Sequence, residues 1–137
     1  MDLEIINRKH KDVAEYSVNK SLATIKIESI RHFYLSKAAL ELMNAKANKF
    51  IHVGREGVRW YLVVNDVNTG FPVNKAGAKS GGRIYSAGMV RLFMSSGKFK
   101  IGNNFYIEKT KSEYRGSPVF EIMTDNAILG AIRNRKK

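Results

Sequence analysis

Apolar and polar positions alternate first at Leu22 to Ile30, LATIKIESI. Leu22, Thr24, Lys26, Glu28 and Ile30 fall on one side and Ala23, Ile25, Ile27 and Ser29 on the other. A period of two over this length predicts a half-buried strand. HFYLS (His32 to Ser36) predicts a second short strand, and Ser36 stands where a helix N-cap belongs. The KAALELMNAKAN that follows consists mainly of strong helix formers, with Ala39, Leu40, Met43 and Ala47 on one face, so it predicts a helix of two to three turns. Two β-rich runs, Phe50 to Val53 and Val58 to Val64, flank GREG and predict a β-hairpin.

The same order then returns. RIYS (Arg83 to Ser86) is strand-like, AGMVRLFMSS predicts a short helix capped by Ser86, and NNFYIEKTKSEYRGSPVFEIMTD predicts a second hairpin with a longer turn. Written one under the other, Phe33 meets Arg83, Ser36 meets Ser86, Phe50 meets Phe105 and Trp60 meets Val119, and the spacing between partners grows only across loops. Loop insertions cost little while core positions are constrained, so this is how duplicated units diverge. The expected fold class is α+β and β-rich: two tandem strand–helix–β-hairpin units sharing one antiparallel core. The boundaries are a polar N-terminal arm at 1–20, a first unit at 21–67, a flexible Gly-rich connection at 68–82, a second unit at 83–125 and a basic C-terminal tail at 126–137.

The run FYLSKAALELMNAKANKFIHVGREGVRWYLVVND resembles the swapped-hairpin module of AbrB-like and MraZ-like bacterial DNA-binding proteins, and two copies in one short chain resemble the tandem layout of the MraZ family. The resemblance is one of element order, and it implies a DNA-binding protein built from paired hairpins. A looser similarity, to Whirly-type and related single-stranded DNA binders, implies a curved antiparallel sheet carrying basic and aromatic residues.

Charge turns this into a site. The 137-residue chain has 24 Lys plus Arg against 12 Asp plus Glu, a net charge of +12, which favours polyanionic partners. No acidic residue lies between Asp66 and Glu108, while Lys75, Lys79, Arg83, Arg91, Lys98 and Lys100 all do. These six are the expected phosphate contacts, with Arg55 and Arg59 on the first hairpin as secondary candidates. REGVRWYLV and KFKIGNNFYIEK interleave cations with rings, which suits base stacking beside phosphate contacts; β-propensity alone would instead bury Trp60, Phe105 and Ile107 with Tyr61 and Tyr106 at the flank.

Other chemistry is poorly represented. The chain has no cysteine, which removes disulfides and thiolate chemistry. His10, His32 and His52 are too far apart to suggest a metal site, and GAKSGG resembles a phosphate loop but has Ala78 where that motif needs glycine. The glycines there suit either a phosphate contact or a plain linker. No apolar run approaches the ~18 residues of a membrane span. The expectation is a small, non-enzymatic, cytoplasmic nucleic-acid-binding protein, DNA rather than RNA, without cofactor, metal or membrane, and possibly a homodimer. The alternative is an accessory module, of a phage or mobile element for instance, that binds an acidic protein partner.

Overall fold

A computed structural model of the chain describes residues 2–6, 22–46, 48–75 and 80–125. Among the described residues there are nine strands and two helices: β1 (Thr24–Ile27), β2 (His32–Leu35), α1 (Lys37–Leu42), β3 (Phe50–Glu56), β4 (Arg59–Asn65), β5 (Phe71–Pro72), β6 (Asn74–Lys75), β7 (Gly82–Tyr85), α2 (Ala87–Gly97), β8 (Asn104–Tyr114) and β9 (Ser117–Ile122). All pairings are antiparallel, in the order β5-β3-β4-β9-β8-β1-β2-β7-β6. The two edges of this order, β5 and β6, are separated along the chain only by Val73. Residues 71–75 therefore pair with β3 through one half and with β7 through the other, and the sheet nearly closes on itself. At about eight strands around, the interior of a barrel is just wide enough to be filled by side chains.

The interior follows from the alternation. Ile25 and Ile27 of β1, Phe33 and Leu35 of β2, Ile84 of β7, Phe105 and Ile107 of β8, Leu62 of β4 and Phe120 and Ile122 of β9 are all buried in one cluster. Phe93 of α2 sits at its centre, with ring centroids 5.7 Å from Phe33, 5.3 Å from Trp60, 4.9 Å from Phe99 and 5.5 Å from Phe105. Three of these contacts are edge-on, the arrangement that ring quadrupoles favour. Both helices begin as the sequence predicts: Ser36 Oγ accepts from the Ala39 amide and Ser86 Oγ from the Met89 amide, each at 3.1 Å. Ser36 Oγ also donates to the Leu22 carbonyl at 2.9 Å and accepts from the Thr24 amide at 3.0 Å, so α1's cap is tied to β1. Lys98 ends α2 in the left-handed region (φ 57°), turning Phe99 back under Phe93.

Several expectations need correction. The first hairpin turns at Gly57 and Val58, not across GREG: β3 runs on to Glu56, and Val58, expected in a strand, is 88% exposed in the turn. A left-handed Gly57 (φ 62°) permits this tight two-residue connection. The second hairpin also has a short turn rather than a longer one. Arg115 and Gly116 are both left-handed (φ 51° and 85°), and the extra length lies in the strands, with a register shift between Lys109 and Glu113. Within the 68–82 segment, β5 and β6 are paired and Val73 packs on the core.

The residue-by-residue superposition of the halves also fails on facing. Phe33 points inward but Arg83 outward, since Phe33 pairs with Ile84; Trp60 points inward while Val119 pairs with outward Val63. A slip of one residue in a strand exchanges its faces, and sequence spacing through loops does not resolve one residue. Ala47, most of the N-terminal arm and the C-terminal tail lie outside the described residues.

Candidate nucleic-acid interface

The register of β1, β2 and β7 brings distant residues into one outward row. Lys26 lies opposite Asn104 on one side and Tyr34 on the other, Tyr34 lies opposite Arg83, and Arg83 opposite Asn74. The Arg83 guanidinium stands 5.7 Å from the centroid of Tyr34, within cation–π range. Across the end of this row, His32 and exposed Tyr85 face each other at 5.0 Å.

A polar cluster anchors the row. Glu28 Oε1 accepts from Arg83 Nε at 2.8 Å and pairs with His32 Nε2 at 2.6 Å, and His32 Nδ1 lies 2.8 Å from Ser29 Oγ. The hydrogen bond from Arg83 holds the Glu28 carboxyl below its ordinary value, opposed by desolvation and reinforced by His32. Conversely the Arg83 guanidinium is pushed up by the same bond. Glu28, Ser29 and His32 carry the connectivity of a serine–histidine–carboxylate triad. Ser29 Oγ accepts the Arg31 amide at 3.0 Å, and Glu28 is neutralised by Arg83. The cluster therefore fixes the β1–β2 turn.

Seven of the eight sequence-predicted cations lie among the described residues and are distributed over the barrel. Arg83 is half-buried on β7 and, although its own segment has no carboxylate, Glu28 arrives from the β1–β2 turn to pair with it. Arg59, at the start of β4, stands 3.8 Å from Glu121 and is largely exposed, a pairing of little energetic weight. Arg55 lies over the Trp60 ring at 5.1 Å. Trp60 Nε1 donates to Ser96 Oγ at 3.2 Å, which brings the first hairpin to the C-terminal end of α2, where Lys98 is the cap. Lys100 follows in the α2–β8 loop, exposed, its amide held by Asn103 Oδ1 at 3.0 Å. Lys75 is exposed at the end of β6, Arg91 is exposed on α2, and Lys79 lies outside the described residues. The fold thus links Arg55, through Trp60 and Ser96, to the Lys98 end of α2.

The rings divide as β-propensity alone suggests. Trp60, at 3% exposure, and Phe105 and Ile107 are core, whereas Tyr61 and Tyr106 are half-buried on the outside. Sequence reasoning missed Tyr34, Tyr85 and Lys26 as members of an outer face. The alternation already puts Lys26 outward, but only the ladder sets it beside Tyr34. The Gly-rich stretch is explained in part by packing: the Gly81 amide donates to Tyr34 Oη at 3.0 Å, and a Cβ on Gly81 would stand 1.8 Å from the Leu35 carbonyl oxygen. Among the described residues no group of three or more His, Asp and Glu is arranged to hold a metal ion, and no helix is long and apolar enough to cross a membrane. Comparison with known proteins gives no match: no protein-family model fits the chain, and neither a characterised protein nor a solved structure is significantly similar to it.

Proposed function

We propose that this chain is a non-enzymatic nucleic-acid-binding protein that holds phosphates through cations on the outside of a filled barrel. The observation that carries the reading is the mismatch between charge and pairing. On a chain of net charge +12, exposed Lys75, Arg91, Lys98, Lys100 and Arg55 have no carboxylate partner among the described residues, where of the expected contacts Arg83 alone is firmly paired. Unquenched cations spread over a rigid surface attract a polyanion by counterion release, with no need for an enclosed site.

The same reading takes the barrel as two tandem units. In support, β2-α1-β3-β4 and β7-α2-β8-β9 repeat in order, β2 pairs with β7 and β4 with β9, and β1 bridges β8 and β2 as residues 71–75 bridge β3 and β7. Two units in one chain close the sheet, so a dimer is not needed to complete it.

The experiment compares the ratio of absorbance at 260 and 280 nm for protein purified without nuclease, before and after a high-salt wash. Co-purifying nucleic acid that the wash removes supports the reading. Clean protein that binds neither DNA nor RNA at ~50 mM salt overturns it and favours an acidic protein partner.

A further inference from the structure

Between the β1–β2 turn and α2 lies an open groove of about 480 Å³ lined by Ile30, Arg31, Ala87, Val90, Arg91 and Met94, with Ser95 at its end. Its volume falls in the range of roughly 300–1,000 Å³ typical of small-molecule sites. The floor is apolar and the two walls each carry an arginine. Neither Arg31 nor Arg91 has a carboxylate partner among the described residues. Ile30 is 62% exposed, an apolar side chain left open to solvent between two cations.

Both walls are fixed in relation to one another. The Ser86 amide, at the cap of α2, donates to the Arg31 carbonyl at 2.8 Å, and the Glu28–His32–Ser29 cluster locks the turn from the other side. Directly before Ser86, the Tyr85 ring is 54% exposed and braced by His32 at 5.0 Å. An exposed ring held at a set angle, an apolar floor and two unpaired guanidinium groups match the parts of an unstacked nucleotide: a π-face, a base and the phosphates on either side. A duplex, whose bases are stacked and paired, offers a base to such a groove only at the cost of unpairing and unstacking it.

We infer that the Arg31–Arg91 groove takes an unstacked base of a single-stranded nucleic acid, with the two arginines on the flanking phosphates and the exposed Tyr85 ring, outside the groove's lining, stacking the adjacent base. This rests on the nucleic-acid reading above and sharpens it to single strands.

The test is fluorescence anisotropy with a labelled 12-nucleotide oligo-dT and a labelled 12-base-pair duplex, using the full chain and four variants. Tyr85→Ala is expected to weaken oligo-dT binding about tenfold, with Tyr85→Phe restoring it, since stacking on a ring tolerates loss of the hydroxyl. Arg31→Ala with Arg91→Ala is expected to weaken it further and to lower the salt slope by about 1.4, at about 0.7 per single-strand phosphate. Arg55→Ala with Arg59→Ala should leave the Tyr85 effect unchanged. All these side chains except Arg59 lack ion pairs, and circular dichroism confirms that each variant folds. Oligo-dT binding that is unmoved by both Tyr85→Ala and the Arg31/Arg91 pair overturns the groove while leaving the nucleic-acid reading intact. Equal sensitivity of the duplex to these changes overturns the single-strand assignment, and no binding to either probe overturns both.

Discussion

Phe93 and Glu28 show how far single residues decide this protein. Phe93 is 1% exposed and ringed by Phe33, Trp60, Phe99 and Phe105, so its loss opens a cavity that four aromatic neighbours cannot fill. Phe93→Ala should cost about 3–5 kcal/mol, read as a lowered midpoint in urea. A loss below ~1 kcal/mol would mean that Phe93 is not the centre of the core. Glu28 acts through charge. Because its folded-state carboxyl is depressed by Arg83, it contributes stability that is complete above the ordinary glutamate value and lost as pH falls below that value through the folded one. Glu28→Gln should therefore flatten the acid side of the melting-temperature profile while leaving the profile above pH 8 parallel to wild type. Thermal melts from pH 3 to pH 9 check this, and an unchanged acid limb would contradict the pairing with Arg83.

Strands and helices were legible where local chemistry sets them. Ser36 and Ser86 could be read as caps because the capping bond spans three residues, and both make it. The alternation at Leu22 to Ile30 separates Ile25 and Ile27 from Lys26 and Glu28, and Ile25 and Ile27 are on the buried side. What could not be read was anything set by non-local register. Arg83 looked unpaired because Glu28 is 55 residues away along the chain, and Tyr34 joins Lys26 and Arg83 only through two ladders. Turn position is non-local in the same way: the Gly54 that suggests a turn lies within β3, and the left-handed residues are Gly57 in one hairpin and Arg115 with Gly116 in the other. At this scale Gly81 gives the sharpest prediction. A methyl group there would overlap the Leu35 carbonyl, so Gly81→Ala should displace β7 from β2 and lower stability by more than the ~1 kcal/mol of an ordinary core change. Urea melts read this, and a neutral result would place Gly81 off the β2 backbone. In contrast, Val58→Lys at the first hairpin tip should be within ~0.5 kcal/mol of wild type.

At the scale of the molecule, the main apolar cluster fills the barrel and the described cations are left outside it. The sequence gives the sum of the charge, but its placement depends on closure: residues 71–75 join β3 to β7, and this fixes where Lys75, Arg83 and Arg91 emerge. The measurement that tests the central claim most directly is the salt dependence of binding to the 12-nucleotide oligo-dT between ~50 and ~300 mM NaCl. With about five phosphates held, the account predicts a straight line of log affinity against log salt with slope magnitude near 3.5. Affinity that does not change with salt, or no binding at the low-salt end, would contradict it.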